Sequence, residues 1–133
     1  MAGNTKNDFV IDASFLLAYL LPDEDIDRVQ KFFNGFKIKN IKLYAPVLLP
    51  FEVYNGLKFA QSRKRVSLKI IEKLGEKFLQ IPIIFEEMDY SKVLHLALKE
   101  NLTFYDASYL YLAQAKQVSL LALDQRLRAL AEK

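Results

Sequence analysis

The chain has 133 residues, a formal charge of +3 and a calculated pI near 9.0, which suits one domain burying roughly two-thirds of its unfolded surface. Hydrophobic residues make up 52% and charged residues 26%, which excludes a disordered chain. With no cysteine, no tryptophan and one histidine, disulfides, thiolate metal sites and cysteine nucleophiles are excluded, and a Ser-His-Asp triad would have to rest on His95.

No apolar run reaches the ~20 residues that span a bilayer. The opening "MAGNTKND" lacks the apolar segment of a signal peptide. The expected address is the cytoplasm, with no membrane contact. The basic balance favours an anionic partner such as nucleic acid.

In chain order, "DFVID" (8–12) predicts a short buried strand that ends in a carboxylate. "ASFLLAYLL" predicts a helix stopped near Pro22. Residues 23–36 open with acids and place Ile26, Val29, Phe32 and Phe33 at helical spacing, an amphipathic helix with favourable N-terminal charge. "KLYA" (42–45) predicts a second strand. Pro46 and Pro50 bracket the entry to a helix that runs through "FEVYNGLKFAQSRKR". Residues 67–80 follow a 3.6 period. "IPIIF" (81–85) predicts a strand and "DYSKVLHLALKEN" a helix ending near Asn101. "LTFYDASYLYLAQAK" (102–116) predicts the next helix, "SLLAL" (119–123) the last strand and "DQRLRALAEK" the closing helix.

Apolar strands separated by helices argue for an α/β fold: a central parallel sheet of four to five strands with helices on both faces. Sites in such sheets form outside the carboxyl ends of the strands. Asp12 and Asp124 end the first and last strands. Glu52 and Asp106 lie in apolar runs near helix starts. Each acid has a structural reading. Asp106 follows Thr103 by three, as in a capping box. Asp12 and Asp124 suit helix caps, and Glu52 could pair with a lysine. If the four converge, two carboxylates ~4 Å apart repel by about 4 kcal/mol at an effective dielectric near 20. Such a cluster takes up protons or binds cations, and oxygen-only ligands suit Mg²⁺ or Mn²⁺.

Four segments, "FVIDASFLLAYLLPDE", "APVLLPFEVYNGL", "TFYDASYLYLAQAK" and "LLALDQRL", together resemble the blocks that typify PIN-domain ribonucleases. The short form is similar to the VapC toxins of prokaryotic toxin–antitoxin pairs. The resemblance spans nearly the whole chain, in order. Its most specific parts are D-A-S at 12–14, E-V-x-N-x-L at 52–57 and Y-D-A-x-Y-L-x-L-A at 105–113. In the last block Ala122 stands where many relatives carry a Thr or Ser hydroxyl.

The resemblance implies a PIN-like nuclease domain over residues 1–133, acting as a metal-dependent endoribonuclease that hydrolyses RNA phosphodiester bonds with Mg²⁺ or Mn²⁺. Asp12, Glu52, Asp106 and Asp124 would be both the catalytic acids and the metal ligands. Asp12 and Asp106 would bind most strongly, Glu52 would hold a metal or its water, and Asp124 would support a second ion or bound water. Ser14 and Asn55 match auxiliary polar positions. With water activated by metal, no side chain need be a general base, which fits a chain nearly without histidine. The resemblance also implies a homodimer and a small VapB-like antitoxin whose tail occupies the site; an exposed apolar patch would suit either partner.

The basic run "QSRKRVSLK" (61–69) could guide RNA phosphates through Arg63, Lys64 and Arg65, or be a solvated helix end. His95 fits a helix surface. The acidic clusters "PDEDID" (22–27) and "FEEMD" (85–89) fit helix starts. Two rivals stay open: a non-catalytic PIN-like module that binds RNA or protein, and another Mg²⁺-dependent phosphotransfer domain. For a haloacid-dehalogenase-type start, Ser14 stands where an acid is needed, and "IPIIFEE" is a poor match to a receiver-type phosphoacceptor strand.

Overall fold

A computed structural model describes residues 7–22, 26–36 and 40–132. The chain opens with β1 (Asp8–Ile11), α1 (Ala13–Leu20) and α2 (Asp27–Gly35), then β2 (Lys42–Pro46), α3 (Leu49–Ser62) and α4 (Leu68–Leu79). There follow β3 (Ile84–Glu86), α5 (Tyr90–Glu100), α6 (Phe104–Lys116), β4 (Ser119–Leu121) and α7 (Gln125–Ala131).

All described strand pairs are parallel, in the spatial order β3-β2-β1-β4. The sheet therefore has the four strands and the helical cover that the sequence pattern predicts. Successive strand residues face opposite sides of a sheet. Val10 and Ile11 are both fully buried, so both faces of β1 are covered. Helix α6 packs across β1, β2 and β4, with α5 and α7 against it, while α1 packs on α2, α3 and α4. Phe9, Phe15, Phe32 and Phe33 interlock near α1 and α2, mostly edge to face, an arrangement worth about 0.5–1.5 kcal/mol per pair beyond area burial.

Element ends differ from the sequence expectation for specific reasons. The strand expected from Ile81 begins at Ile84, because the Ile81 amide still donates to Phe78 in the turn after α4 and Pro82 has no N–H to offer. The last strand stops at Leu121 rather than Leu123. The Leu123 amide donates to the Ser14 hydroxyl and the Ala122 carbonyl accepts from Arg28, so side chains replace the ladder there. Helix α3 stops at Ser62 instead of running through Arg65. Lys64 is left-handed at φ 59, and the Arg65 amide turns back to Ala60. Part of the 22–27 acidic cluster lies outside the described residues. In the 85–89 cluster, Asp89 caps α5 through the Lys92 amide and Glu86 pairs with Lys116.

Candidate functional site

Asp12 is the first residue after β1 and the N-cap of α1. Its backbone N–H extends the pairing with β4 by donating to Leu121 at 3.0 Å. Its Oδ1 accepts from the Phe15 amide at 3.0 Å and from the Ser14 hydroxyl at 2.7 Å. The Ser14 oxygen in turn accepts from the Leu123 amide at 3.2 Å. The carboxyl is 7% exposed. Burial pushes its pKa up to about 6; the Ser14 and Phe15 hydrogen bonds oppose this, and the charges of Asp106 and Glu52 add to it.

Glu52 lies in the first turn of α3, opposite α6. The Tyr109 hydroxyl, from α6, donates to its Oε1 at 2.7 Å. Tyr109 is 1% exposed, and a buried phenol needs such a partner. Burial raises the pKa of Glu52, Tyr109 restrains the rise, and Asp106 adds to it. Burial and the neighbouring acids, Glu52 foremost, push the Tyr109 phenol upward, so it stays a donor.

Asp106 sits in the first turn of α6. Its amide donates to Oγ1 of Thr103, the N-cap, at 3.0 Å, as the capping-box spacing predicts. Burial raises its pKa first and the Asp124 charge second, while the Thr103 hydroxyl lowers it. Asp124 is exposed and caps α7, accepting from the Leu127 amide at 2.9 Å.

These acids form one electrostatic neighbourhood at the carboxyl end of the sheet. Asp12 feels Glu52 and Asp106, Glu52 feels Asp106, and Asp106 feels Asp124. Ser14 joins them directly. Asn55 is exposed, three residues along α3 from Glu52. The basic run sits elsewhere. Arg63 is the C-cap of α3, with its guanidinium over the Phe59 ring at 5.5 Å. That places it about 16 Å along the helix from Glu52 at 1.5 Å per residue. His95 is exposed on α5. Tyr109 and Arg28 escape the sequence reading. Arg28 reaches the Ala122 carbonyl at 3.1 Å, 94 positions away, with no local pattern to reveal it. Tyr109 is one of three tyrosines on α6, and nothing in the local pattern singles it out.

Among the described residues, no three acidic or imidazole side chains form a ready-made cage for an ion. The donor set nevertheless suits one. It consists of carboxylate oxygens, the ligands of hard divalent cations. Burial and mutual repulsion raise three of the carboxyl groups, and a nearby cation would offset both costs.

Two predictions follow from this electrostatic arrangement. Without cations, the raised Asp12 pKa makes ionisation unfavourable to the folded state. Its stability contribution is present below the unfolded value of 3.8 and is lost as pH rises through about 6. The loss amounts to about 3 kcal/mol. Asp12→Asn, which keeps an oxygen for the Phe15 amide, should therefore melt higher than the parent at pH 8 in EDTA, and the gap should close toward pH 4. A lower melting temperature at pH 8 would show that the carboxylate is structurally needed. Tyr109→Phe leaves Glu52 without its buried donor and should cost about 1–3 kcal/mol. Urea unfolding would measure this, and an unchanged midpoint would mean that water replaces the hydroxyl fully.

A family model described as the PIN domain matches residues 9–133. Ribonuclease VapC3 of Pyrobaculum aerophilum is 33% identical over 132 residues, covering 93% of this chain and 92% of that protein. The crystal structure of PAE2754 from the same organism superposes with a TM-score of 0.74 at 25% identity, covering 97% of this chain and 89% of that one. Mycobacterium tuberculosis VapC20, a sarcin-ricin loop cleaving toxin, shares the fold with a TM-score of 0.66 at 14% identity over 91% of this chain and 93% of its own. The chain belongs to the PIN-domain family.

Proposed function

We propose that this chain is a divalent-metal-dependent endoribonuclease hydrolysing RNA phosphodiester bonds, and the toxin of a VapBC-type toxin–antitoxin pair acting in the cytoplasm. One observation carries the reading. A buried aspartate at the end of β1 shares its electrostatic surroundings with acids from the starts of α3 and α6, and Asp106 extends these to Asp124. The VapC3 relative supports the choice of RNA.

In this reading Asp12 and Asp106 present carboxylate oxygens to Mg²⁺ or Mn²⁺. When bound, the ion supplies Lewis acidity to the phosphate and lowers the pKa of the attacking water. Tyr109 holds one oxygen of Glu52, and the other would be the one offered to a metal or its water. Asp124 uses one oxygen as a helix cap and has a second for water or a further ion. The Ser14 hydroxyl and the Phe15 amide together hold Oδ1 of Asp12 and so fix its orientation. Asn55, on the exposed side of α3, is an auxiliary contact for substrate or water. Arg63, Lys64 and Arg65 would touch only RNA that extends well beyond the scissile bond.

A small VapB-like antitoxin would occupy the acidic site, and a second copy of the chain the outer face of α5. Tyr90, Leu94 and Leu98 recur every four residues there and are 69%, 51% and 74% exposed, a stripe suited to a homodimer. No helix among the described residues is long and apolar enough to cross a membrane.

Asp106→Asn should lower cleavage of labelled single-stranded RNA by at least about 100-fold while oligonucleotide binding persists. Mn²⁺ should raise the melting temperature of the parent far more than that of Asp106→Asn. Cleavage by the parent in EDTA, or equal Mn²⁺ stabilisation of both proteins, would refute the metal-dependent reading. Parent protein that binds RNA without cutting it under Mg²⁺ or Mn²⁺ would instead favour a binding module. Replacing Leu94 and Leu98 together with Asp should halve the mass seen by light scattering; an unchanged mass would assign the dimer to another surface or the parent to a monomer.

A further inference from the structure

Two arginines stand beside the acids. Arg28, near the start of α2, reaches to the end of β4, where Nη2 donates to the Ala122 carbonyl at 3.1 Å. Its guanidinium lies over the Phe15 ring at 5.6 Å, and the Phe15 amide is held by Asp12. Ala122 precedes Asp124 by two residues. Arg28 thus covers the junction from which two of the four acids emerge. Arg128 lies one turn beyond Asp124 on α7, with its Nε buried and without a hydrogen-bond partner. Arg128 as a whole is half-buried, so a ligand can reach only the other donors of its guanidinium. Among the described residues, neither guanidinium makes an ion pair.

The two charges also feel each other. Partial burial first, and Arg128 second, hold Arg28 below the ordinary arginine range, with Asp12 opposing. Two cations within electrostatic reach of each other, neither held in an ion pair by the acids beside them, can take up a further anion.

We propose that Arg28 and Arg128 form a binding site for a backbone phosphate of single-stranded RNA, on the β4 side of the acidic pocket. The inference rests on the ribonuclease reading and extends it. Guanidinium is the suitable group. It offers five donors in a planar fork that matches phosphate. Arg28 uses one of them on Ala122 and keeps the others. The site also answers a general difficulty of an acidic nuclease pocket: the polyanionic strand is repelled by the carboxylates. A phosphate anchored on the two arginines offsets that repulsion and presents the neighbouring phosphate of the strand to Asp12 and Asp106.

The test uses the full chain and a fluorescent single-stranded RNA of about ten nucleotides, in EDTA, with its integrity checked on a gel. Arg28→Gln, Arg128→Gln and the double variant are compared with the parent over a range of salt. Losing the one phosphate contact should flatten the log–log salt slope by about 0.7 in the double variant, with each single variant falling between it and the parent. Affinity of the double variant should fall at least tenfold. Arg28→Lys should keep the slope while losing affinity, because it keeps the charge but not the fork. With Mn²⁺ present, KM should rise more than kcat falls. If Arg28→Gln is unfolded by circular dichroism, Arg128→Gln alone decides, since its removal orphans no other group. Folded variants that match the parent in affinity and slope overturn the proposal, as does a parent that binds no RNA. A parent that binds RNA but never cuts it, with variants that lose binding, would refute the nuclease reading and uphold the phosphate site.

Discussion

The structure depends on one buried carboxyl group. Asp12 ends β1, begins α1 and faces the end of β4 at the same time. Its amide continues the β1–β4 pairing, its Oδ1 fixes the first turn of α1, and through Ser14 it is linked to the Leu123 amide. The Ser14 and Phe15 bonds stabilise the ionised form, yet burial outweighs them and raises the pKa to about 6. A side chain used only as a cap would gain nothing from being buried among other acids. An exposed Asp or Asn would close the same turn with no desolvation penalty. The position is costly while the carboxyl is ionised, a cost that protonation removes and that a nearby cation would offset.

That constraint shapes the surrounding elements. Tyr109 reaches from α6 to the Glu52 carboxylate on α3, and so ties together the two helices that carry Glu52 and Asp106. Thr103 fixes the first turn of α6, and Leu127 fixes the carboxyl of Asp124. All four acids stand at helix N-termini, as N-caps of α1 and α7 or in the first turns of α3 and α6. The partial positive charge at such ends favours carboxylates by about 0.3–1 kcal/mol each. Capping and a role in the site are therefore not alternatives for these residues. The cap bond holds one oxygen of Asp12 and one of Asp124, and Tyr109 holds one of Glu52.

Much of this was legible from local pattern. Apolar runs of strand length, acids at helix starts and the Thr103–Asp106 spacing each report on their own few residues, whereas the strand order β3-β2-β1-β4 is set by pairings that no local pattern gives. The convergence of the acids was legible only through the rule that sites form at strand carboxyl ends. Contacts across the fold were not. Arg28 to Ala122 and Tyr109 to Glu52 join residues 94 and 57 positions apart, and no periodicity encodes them. Element ends failed where side chains intervened. The last strand ends early because Ser14 and Arg28 take its backbone groups, and α3 ends early because Lys64 turns left-handed. The basic run consequently forms the exit from a helix, at the end of α3 away from Glu52.

Charge placement shows how a basic protein can hold an acidic pocket beside uncompensated positive charge. The net charge of +3 is too small to draw a polyanion into a cluster of carboxylates by itself, since screening removes exposed charges beyond ~8 Å at physiological salt. Positive charge has to stand near the acids without neutralising them. Lysine is poorly suited, because a flexible ammonium would settle onto the nearest carboxylate. Arg28 is prevented from doing so by its bond to the Ala122 carbonyl and its packing over Phe15. The guanidinium is held by a backbone oxygen and an aromatic face, both neutral, so its charge persists within reach of Asp12. Opposite charges can then stand at one sheet end, the carboxylates suited to a cation and the guanidinium to an anion, because Arg28 is anchored by neutral partners.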